Sequence, residues 1–292
     1  MLLHGRETPT DPARVVVIGA SGFVGGAIAR RLAKGGVSVR ALGRGELDLL
    51  APDAVSRLMA ELRPEDSVVM VAARTPARTV PLFFENLRLV EPLAAALAKR
   101  PIAHLLYISS DAIYADAANP VTEASPAAPS TLHGMMHAAR ELVLKSATAA
   151  PIAFLRPTLI YGAADPHSGY GPNRFRREAE AGGPIRIFGE GEERRDHVCV
   201  EDVAELAWLI LRHRSSGALN AATGVSTAFC DIARIMSGRC SVAVLSQPRP
   251  GARPHLLHRH FDIAECYKAF PRFRYTPLAK GLAALCEGGP LR

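Results

Sequence analysis

The sequence predicts an α/β protein built on a doubly wound parallel sheet, with a smaller C-terminal lobe. Three observations carry this expectation. The first is an apolar, β-branched run, Arg14-Val-Val-Val-Ile18, stopped by Gly19; such a run reads as a strand buried on both faces. The second is the regular alternation of strand-like and helix-like segments up to residue 156, the pattern that gives parallel sheets with helical crossovers. The third is composition. The chain has 292 residues, of which 48% are hydrophobic, enough to bury a large core and too many for a disordered chain.

In chain order, residues 1–13 are polar and read as a loose leader. A strand over 14–19 is followed by a helix over 23–34, closed by Gly35-Gly36 as glycines close helices. Then come a strand from Val37 to Leu42, a helix from Ala54 to Leu62, a strand from Ser67 to Ala72 and a helix from Phe83 to Lys99. A strand from His104 to Ser109, a helix from Thr131 to Ala147 and a strand from Ile152 to Arg156 complete the alternation. Beyond Pro157 the pattern changes. Residues 161–192 are rich in Gly, Pro and charge, a helix runs from Val203 to Arg212, and a strand lies near Leu219. The expected division is 1–160 with 193–222 as the larger, sheet-bearing domain, and 161–192 with 223–292 as the smaller lobe.

The net charge of +7 is spread among acids without a basic block, which suits an anionic small molecule and argues against nucleic acid. Cys199, Cys230, Cys240, Cys266 and Cys286 are odd in number and lack a CxxC spacing. They suggest neither a disulfide framework nor a zinc site. No apolar stretch is long enough for a signal peptide or a membrane span, and the expected location is the cytoplasm.

Gly19-Ala-Ser-Gly22-Phe-Val-Gly25 lies between the first strand and the first helix. Glycines there allow a tight turn and close approach of the backbone to a pyrophosphate, whose charge the helix N-terminus favours. This is the Rossmann arrangement, and it predicts a bound dinucleotide. After the second strand, Arg44 in Gly43-Arg-Gly-Glu-Leu-Asp48 could pair with the 2′-phosphate of NADP, whereas an acid there would bind the ribose of NAD. The expectation leans to NADP over NAD.

The spacing of this loop resembles the short-chain dehydrogenase/reductase superfamily. Tyr107-Ile-Ser-Ser-Asp-Ala-Ile-Tyr114, Leu155-Arg-Pro-Thr-Leu-Ile-Tyr-Gly162, Phe188-Gly-Glu-Gly191 and Arg195-Asp-His-Val-Cys-Val-Glu-Asp202 resemble segments of its extended branch, the NAD-dependent epimerase/dehydratase family acting on sugar nucleotides. The resemblance implies dinucleotide contacts from Gly19, Ser21, Gly22, Phe23, Val24, Gly25, Ala72, Ala73 and Pro157, with Asp48 at the adenine. It implies that Asn86 is a structural hydrogen-bonder and that Arg195, with Asn173 bordering the cleft, meets the substrate. Family members often pair through two long helices, here 83–99 and 131–147, so a homodimer is expected.

The family's chemistry uses a Ser/Thr with a Tyr-x-x-x-Lys pair. Ser110 fits the hydroxyl, but His133 stands where Tyr is expected and His137 where Lys is expected, and no other Tyr-x-x-x-Lys occurs in the chain. Three readings follow. His133 could exchange the proton, since imidazole titrates near ~6.5 and phenol near ~10, with His137 on the dinucleotide ribose. Proton transfer could instead be lost, leaving a nucleotide-binding module with a regulatory or structural role. Or the two imidazoles, one turn apart, could hold a metal with Asp111 as third ligand. The first is preferred, and no metal is expected. Asp111 is followed by Ala112 rather than a second acid, which ranks a dehydratase below a reductase or epimerase. Leu159 stands where many sugar-nucleotide members carry Asn. His167 and His197 read as surface or packing residues, and His255, His258 and His260 as a loop.

Overall fold

A computed structural model describes residues 1–115, 120–249 and 258–287. In chain order the elements are β1 (Leu2–Leu3), β2 (Arg14–Ile18), α1 (Phe23–Lys34), β3 (Val39–Leu42), α2 (Ala54–Glu61), β4 (Asp66–Met70), α3 (Val80–Leu97), β5 (His104–Ile108), α4 (Leu132–Ala147), β6 (Ile152–Pro157) and β7 (Leu159–Tyr161). They continue with α5 (Pro172–Glu180), β8 (Ile185–Phe188), β9 (Arg194–Cys199), α6 (Val200–His213), β10 (Ser216–Ala221), β11 (Ser226–Ala228), α7 (Phe229–Cys240), β12 (Val244–Gln247), α8 (Ala264–Ala269) and α9 (Leu278–Glu287).

The large sheet has the order β1-β10-β6-β5-β4-β2-β3, parallel throughout except for β1. Strands β4 and β5 are buried along their whole length, as expected of strands covered by helices on both faces. From β2 the chain steps outward to β3, then returns to the other side of β2 as β4. This reversal opens a crevice at the C-terminal ends of β2 and β4, where open α/β sheets bind ligands. One core lies on each side of the sheet: the α1–α6 side continues into the C-terminal lobe through Phe175, Phe229 and Leu282, while the other side packs around Leu58, Leu93 and Leu144.

Several expectations need correction. Residues 1–13 are no loose leader. Leu2 and Leu3 pair antiparallel with Gly217 and Ser216, and Arg6 and Thr10 donate backbone hydrogen bonds to His213 and Arg212 carbonyls. Helix α3 begins three residues earlier than expected because Thr79 caps it, its hydroxyl accepting from Leu82 N–H at 3.4 Å. Strand β9 pairs with β7 and β11 in a separate three-stranded sheet, and α6 follows it directly.

Candidate active site

The glycine loop turns at Gly19, whose φ of 97° suits glycine. A Cβ there would stand 2.6 Å from Ala72 N, and one on Gly25 would stand 2.1 Å from the Gly19 carbonyl oxygen. Gly19 and Gly25 therefore let β2, β4 and α1 converge. Gly22 caps α1 without a side-chain acceptor, so the first-turn N–H groups are left for an outside anion. A cavity of about 830 Å³ opens over this loop and runs to the ends of β5 and β6.

Its lining gathers most of the residues expected from the sequence: Gly19, Ser21, Gly22, Phe23, Val24, Gly25, Arg44, Asp48, Ala72, Ala73, Ser110, Asp111, His133, His137, Pro157 and Asn173. The bare first-turn N–H groups of α1 and the size of the cavity fit a dinucleotide. Asn86 is structural, as expected: its amide accepts from Arg74 N–H and donates to the Arg74 and Leu82 carbonyls.

Helix α4 brings the two imidazoles to the far end. The Thr131 hydroxyl accepts from Gly134 N–H at 3.1 Å, starting the helix at Leu132 and placing His133 in its first turn. Gly134 is required because a Cβ would stand 2.0 Å from the Ala112 carbonyl oxygen. The helix thereby closes on the short 3₁₀ turn Asp111–Ile113 that carries the Ser110 end of β5. The rings of His133 and His137 meet edge to face, 4.8 Å between centroids. His133 Nδ1 accepts from Ala77 N–H at 3.5 Å, and His137 Nδ1 lies 2.7 Å from the Tyr107 hydroxyl.

Burial lowers the proton affinity of both imidazoles. Arg78 adds to this at His133, and His133 and Arg140 add to it at His137, which falls well below the ordinary range. Both are therefore neutral at pH 7. The described residues hold no group of three or more side chains that could ligate a metal.

The Ser110 hydroxyl accepts from Ala112 N–H and faces the Asp111 carboxylate at 3.4 Å. Burial raises the Asp111 pKa, opposed chiefly by Arg259, whose Nε stands 3.5 Å from the carboxylate. Arg259 also donates to the Asp111 carbonyl. Arg259 belongs to the His-rich segment whose sequence reads as a loop. His255 lies outside the described residues, while His258 and His260 make an edge contact at 6.3 Å.

On the substrate side, Asn173 and Arg195 both make contacts within the chain. Asn173 borders the cavity, and its amide accepts from Gly162 N–H and donates to the Ile160 carbonyl, which ties two backbone segments together there. Arg195 lies outside the described lining, and its Nη1 donates to the Arg194 carbonyl. His167, expected to be a bystander, is exposed on the cavity wall beside Asp165, Pro166 and Gly169. Asp165 organises that wall by accepting from His167 and Ser168 N–H groups. An Asp followed by Pro, His, Ser and Gly is a turn signal that could have marked it. His197 is a packing residue, buried against Phe229.

Comparison with known proteins agrees with this geometry. Residues 15–222 match the profile of the NAD dependent epimerase/dehydratase family. The chain is 32% identical over 230 residues to a probable dTDP-4,6-dihydroxy-2-methyloxan-3-one 4-ketoreductase of Streptomyces antibioticus, covering 76% of this chain and 75% of the other. It is 26% identical to a dTDP-4-dehydro-6-deoxy-D-allose reductase of Streptomyces bikiniensis, covering 92% and 93%. The crystal structure of Thermus thermophilus UDP-glucose 4-epimerase in complex with NAD shares the fold at a TM-score of 0.82 and 22% identity, covering 94% and 98%. The described residues contain no helix long and apolar enough to cross a membrane. The chain belongs to the NAD-dependent epimerase/dehydratase family.

Proposed function

We propose that this protein is an NAD(P)-dependent oxidoreductase or epimerase acting at the carbonyl or carbinol carbon of a nucleotide-activated sugar, with His133 in the acid/base position. The observation that supports this best is the placement of Ser110 and His133 on one cavity with an intact glycine loop. Both reductases named above act on dTDP-linked substrates, which favours reduction of a keto sugar.

When bound, the dinucleotide supplies hydride exchange with the substrate carbon. The protein's part is positional and protic. The Ser110 hydroxyl hydrogen-bonds the reacting oxygen, and protonated His133 delivers the proton as a ketone becomes an alcohol. His137, neutral at pH 7, would hold the nicotinamide ribose. The oxidised and reduced nicotinamides differ in absorbance, so turnover is followed directly with NADH or NADPH and a panel of dTDP- and UDP-linked 4-keto sugars. Product sugars are analysed in parallel to catch epimerisation. Turnover lost in His133→Phe, with dinucleotide binding retained, supports the proposal. Dinucleotide binding without product in either protein overturns it in favour of a binding module.

The lean to NADP rests on Arg44, exposed at the cavity mouth; the nearby Glu46 carboxylate is engaged by Gly43 N–H at 2.9 Å. Arg44→Ser should raise KM for NADPH several-fold more than KM for NADH, and equal effects would remove the preference. A homodimer is favoured by four exposed apolar side chains, Val80 and Phe84 on α3 and Met135 and Leu142 on α4. Leu142→Lys should then shift the sedimenting species toward the monomer, and a monomeric wild type would refute it.

A further inference from the structure

The residue that replaces the family's lysine poses an electrostatic problem. A lysine offers a permanent positive charge and several donors, whereas His137 is buried, neutral and limited to one ring N–H. Which nitrogen carries that proton decides whether the site has a donor at all.

The surroundings decide it. His137 Nδ1 points inward to the Tyr107 hydroxyl at 2.7 Å. Tyr107 lies on β5 and is 1% exposed, and His137 is the one hydrogen-bond partner of its hydroxyl among the described residues. If His137 donated from Nδ1, the phenolic proton would be left in the interior without an acceptor, and buried polar hydrogens are rarely left so. If Tyr107 donates to Nδ1, both groups are satisfied. The proton of His137 then sits on Nε2, the ring nitrogen that Tyr107 does not engage, in a side chain that borders the cavity.

A buried cation reinforces the arrangement. Arg140, one turn further along α4, is 0% exposed. Its guanidinium lies 5.2 Å from the Tyr107 ring centre and donates from Nη2 to the Ala72 carbonyl at 2.7 Å. No carboxylate is bonded to it among the described residues. A guanidinium beside a phenol draws electron density from its oxygen and strengthens the O–H as a donor, while it opposes a second proton on His137. The positive charge thus stands one helical turn from where the family keeps it, and it acts through Tyr107.

We propose that Tyr107 and Arg140 are positioning residues that hold His137 as a neutral imidazole with its proton on Nε2, so that α4 offers the dinucleotide's ribose a single uncharged hydrogen-bond donor. The part concerning the ribose rests on the dinucleotide reading given above. The tautomer does not.

The test uses the full chain with 15N-labelled histidine and long-range 1H–15N correlation spectra at pH 7, the His137 signals being assigned by their loss in His137→Gln. The expected spectrum has His137 Nδ1 in the unprotonated, hydrogen-bonded range and Nε2 in the protonated range. In Tyr107→Phe, Nδ1 should lose its hydrogen-bond shift while the His133 signals hold. NADPH and NADH should then bind about fivefold more weakly, the equivalent of about 1 kcal/mol for one hydrogen bond. Arg140→Met should raise the pH at which His137 titrates. A wild-type His137 protonated on Nδ1, or doubly protonated at pH 7, overturns the proposal. So does a Tyr107→Phe protein with unchanged signals and affinity. If wild type binds neither dinucleotide, the reading of the cavity falls while the spectrum still decides the tautomer. Tyr107→Phe removes one oxygen atom and keeps the ring packing, so it stands even if Arg140→Met fails to fold.

Discussion

Substituting Gly25 by Ala is the sharpest single perturbation of the dinucleotide site. The new Cβ would lie 2.1 Å from the Gly19 carbonyl oxygen, 2.8 Å from its carbon and 3.0 Å from a Val71 methyl. Relief requires a separation of about 1 Å between α1 and the loop, in a region packed like an organic crystal. Helix α1 is poorly placed to yield: the Arg31 guanidinium pairs with Glu205 on α6 and stacks 3.7 Å from the Trp208 ring centre. Overpacking of this kind costs up to about 3 kcal/mol, and Ala in a helix returns about 1 kcal/mol over Gly. The expected net loss is about 2 kcal/mol, with dinucleotide binding weakened more than tenfold because the first-turn N–H groups move. Gly22→Ala is the control. Its Cβ would stand 3.3 Å from the same oxygen, and its φ of −81° suits alanine, so stability should change by less than about 1 kcal/mol. Urea unfolding of the three proteins and fluorescence titration with NADH give both quantities. A Gly25→Ala protein as stable and as tightly binding as wild type would refute the close-approach argument. Equal damage from the two substitutions would refute it as well.

Three further outcomes are expected. Because burial and Arg78 lower the His133 pKa, its protonated form is scarce at pH 7, so the reductive kcat should rise as pH falls toward and below about 6.5; a rate flat from pH 8 to 5.5 would exclude His133 as the proton donor. His104 is buried with its pKa held down to about 4, its Nε2 donating to the Ser215 carbonyl at 2.6 Å. The unfolded chain takes up a proton below about 6.5 while the folded chain does not, so stability is complete above about 6.5 and falls as pH drops toward 4. The loss is on the order of 3 kcal/mol, and His104→Gln should flatten that part of the urea-midpoint profile. Finally, Glu141 Oε2 meets Arg156 Nη2 at 2.7 Å with both side chains 10% exposed. Glu141→Gln strands the Arg156 charge and should cost about 3–5 kcal/mol by chemical denaturation, whereas Glu141→Leu with Arg156→Met should recover much of the loss; equal losses in the single and double variants would refute this.

The parallel sheet was legible because its strands are nearly all apolar and its glycine loop sits at the one junction where a pyrophosphate could be held. The dinucleotide end of the cavity was readable for the same reason: backbone requirements leave glycines at fixed spacing. The substrate end was not. Arg259 reaches Asp111 from 148 positions away, a pairing without local pattern. The amide of Asn173 turned to backbone groups, an orientation set by the loop rather than by residue type. Thr79 and Thr131 lie immediately before their helices as capping residues do, and only Thr79 shifted a boundary by more than a residue. The role of Tyr107 was also hidden, since its hydroxyl matters only through the neighbour that the fold supplies.

Strand β1 carries a consequence for the large sheet. It covers the outer edge of β10 with Leu2 and Leu3, and Gly217 admits it because any side chain there would strike the Met1 carbonyl at 2.2 Å. His4 then fastens the strap, its ring stacked on His213 and bonded to Ser215 and the Ala269 carbonyl. An uncovered β10 would present a free row of hydrogen-bonding groups, a template for pairing with another chain. Strand β1 therefore acts as a selvedge that keeps the sheet from unravelling into its neighbours.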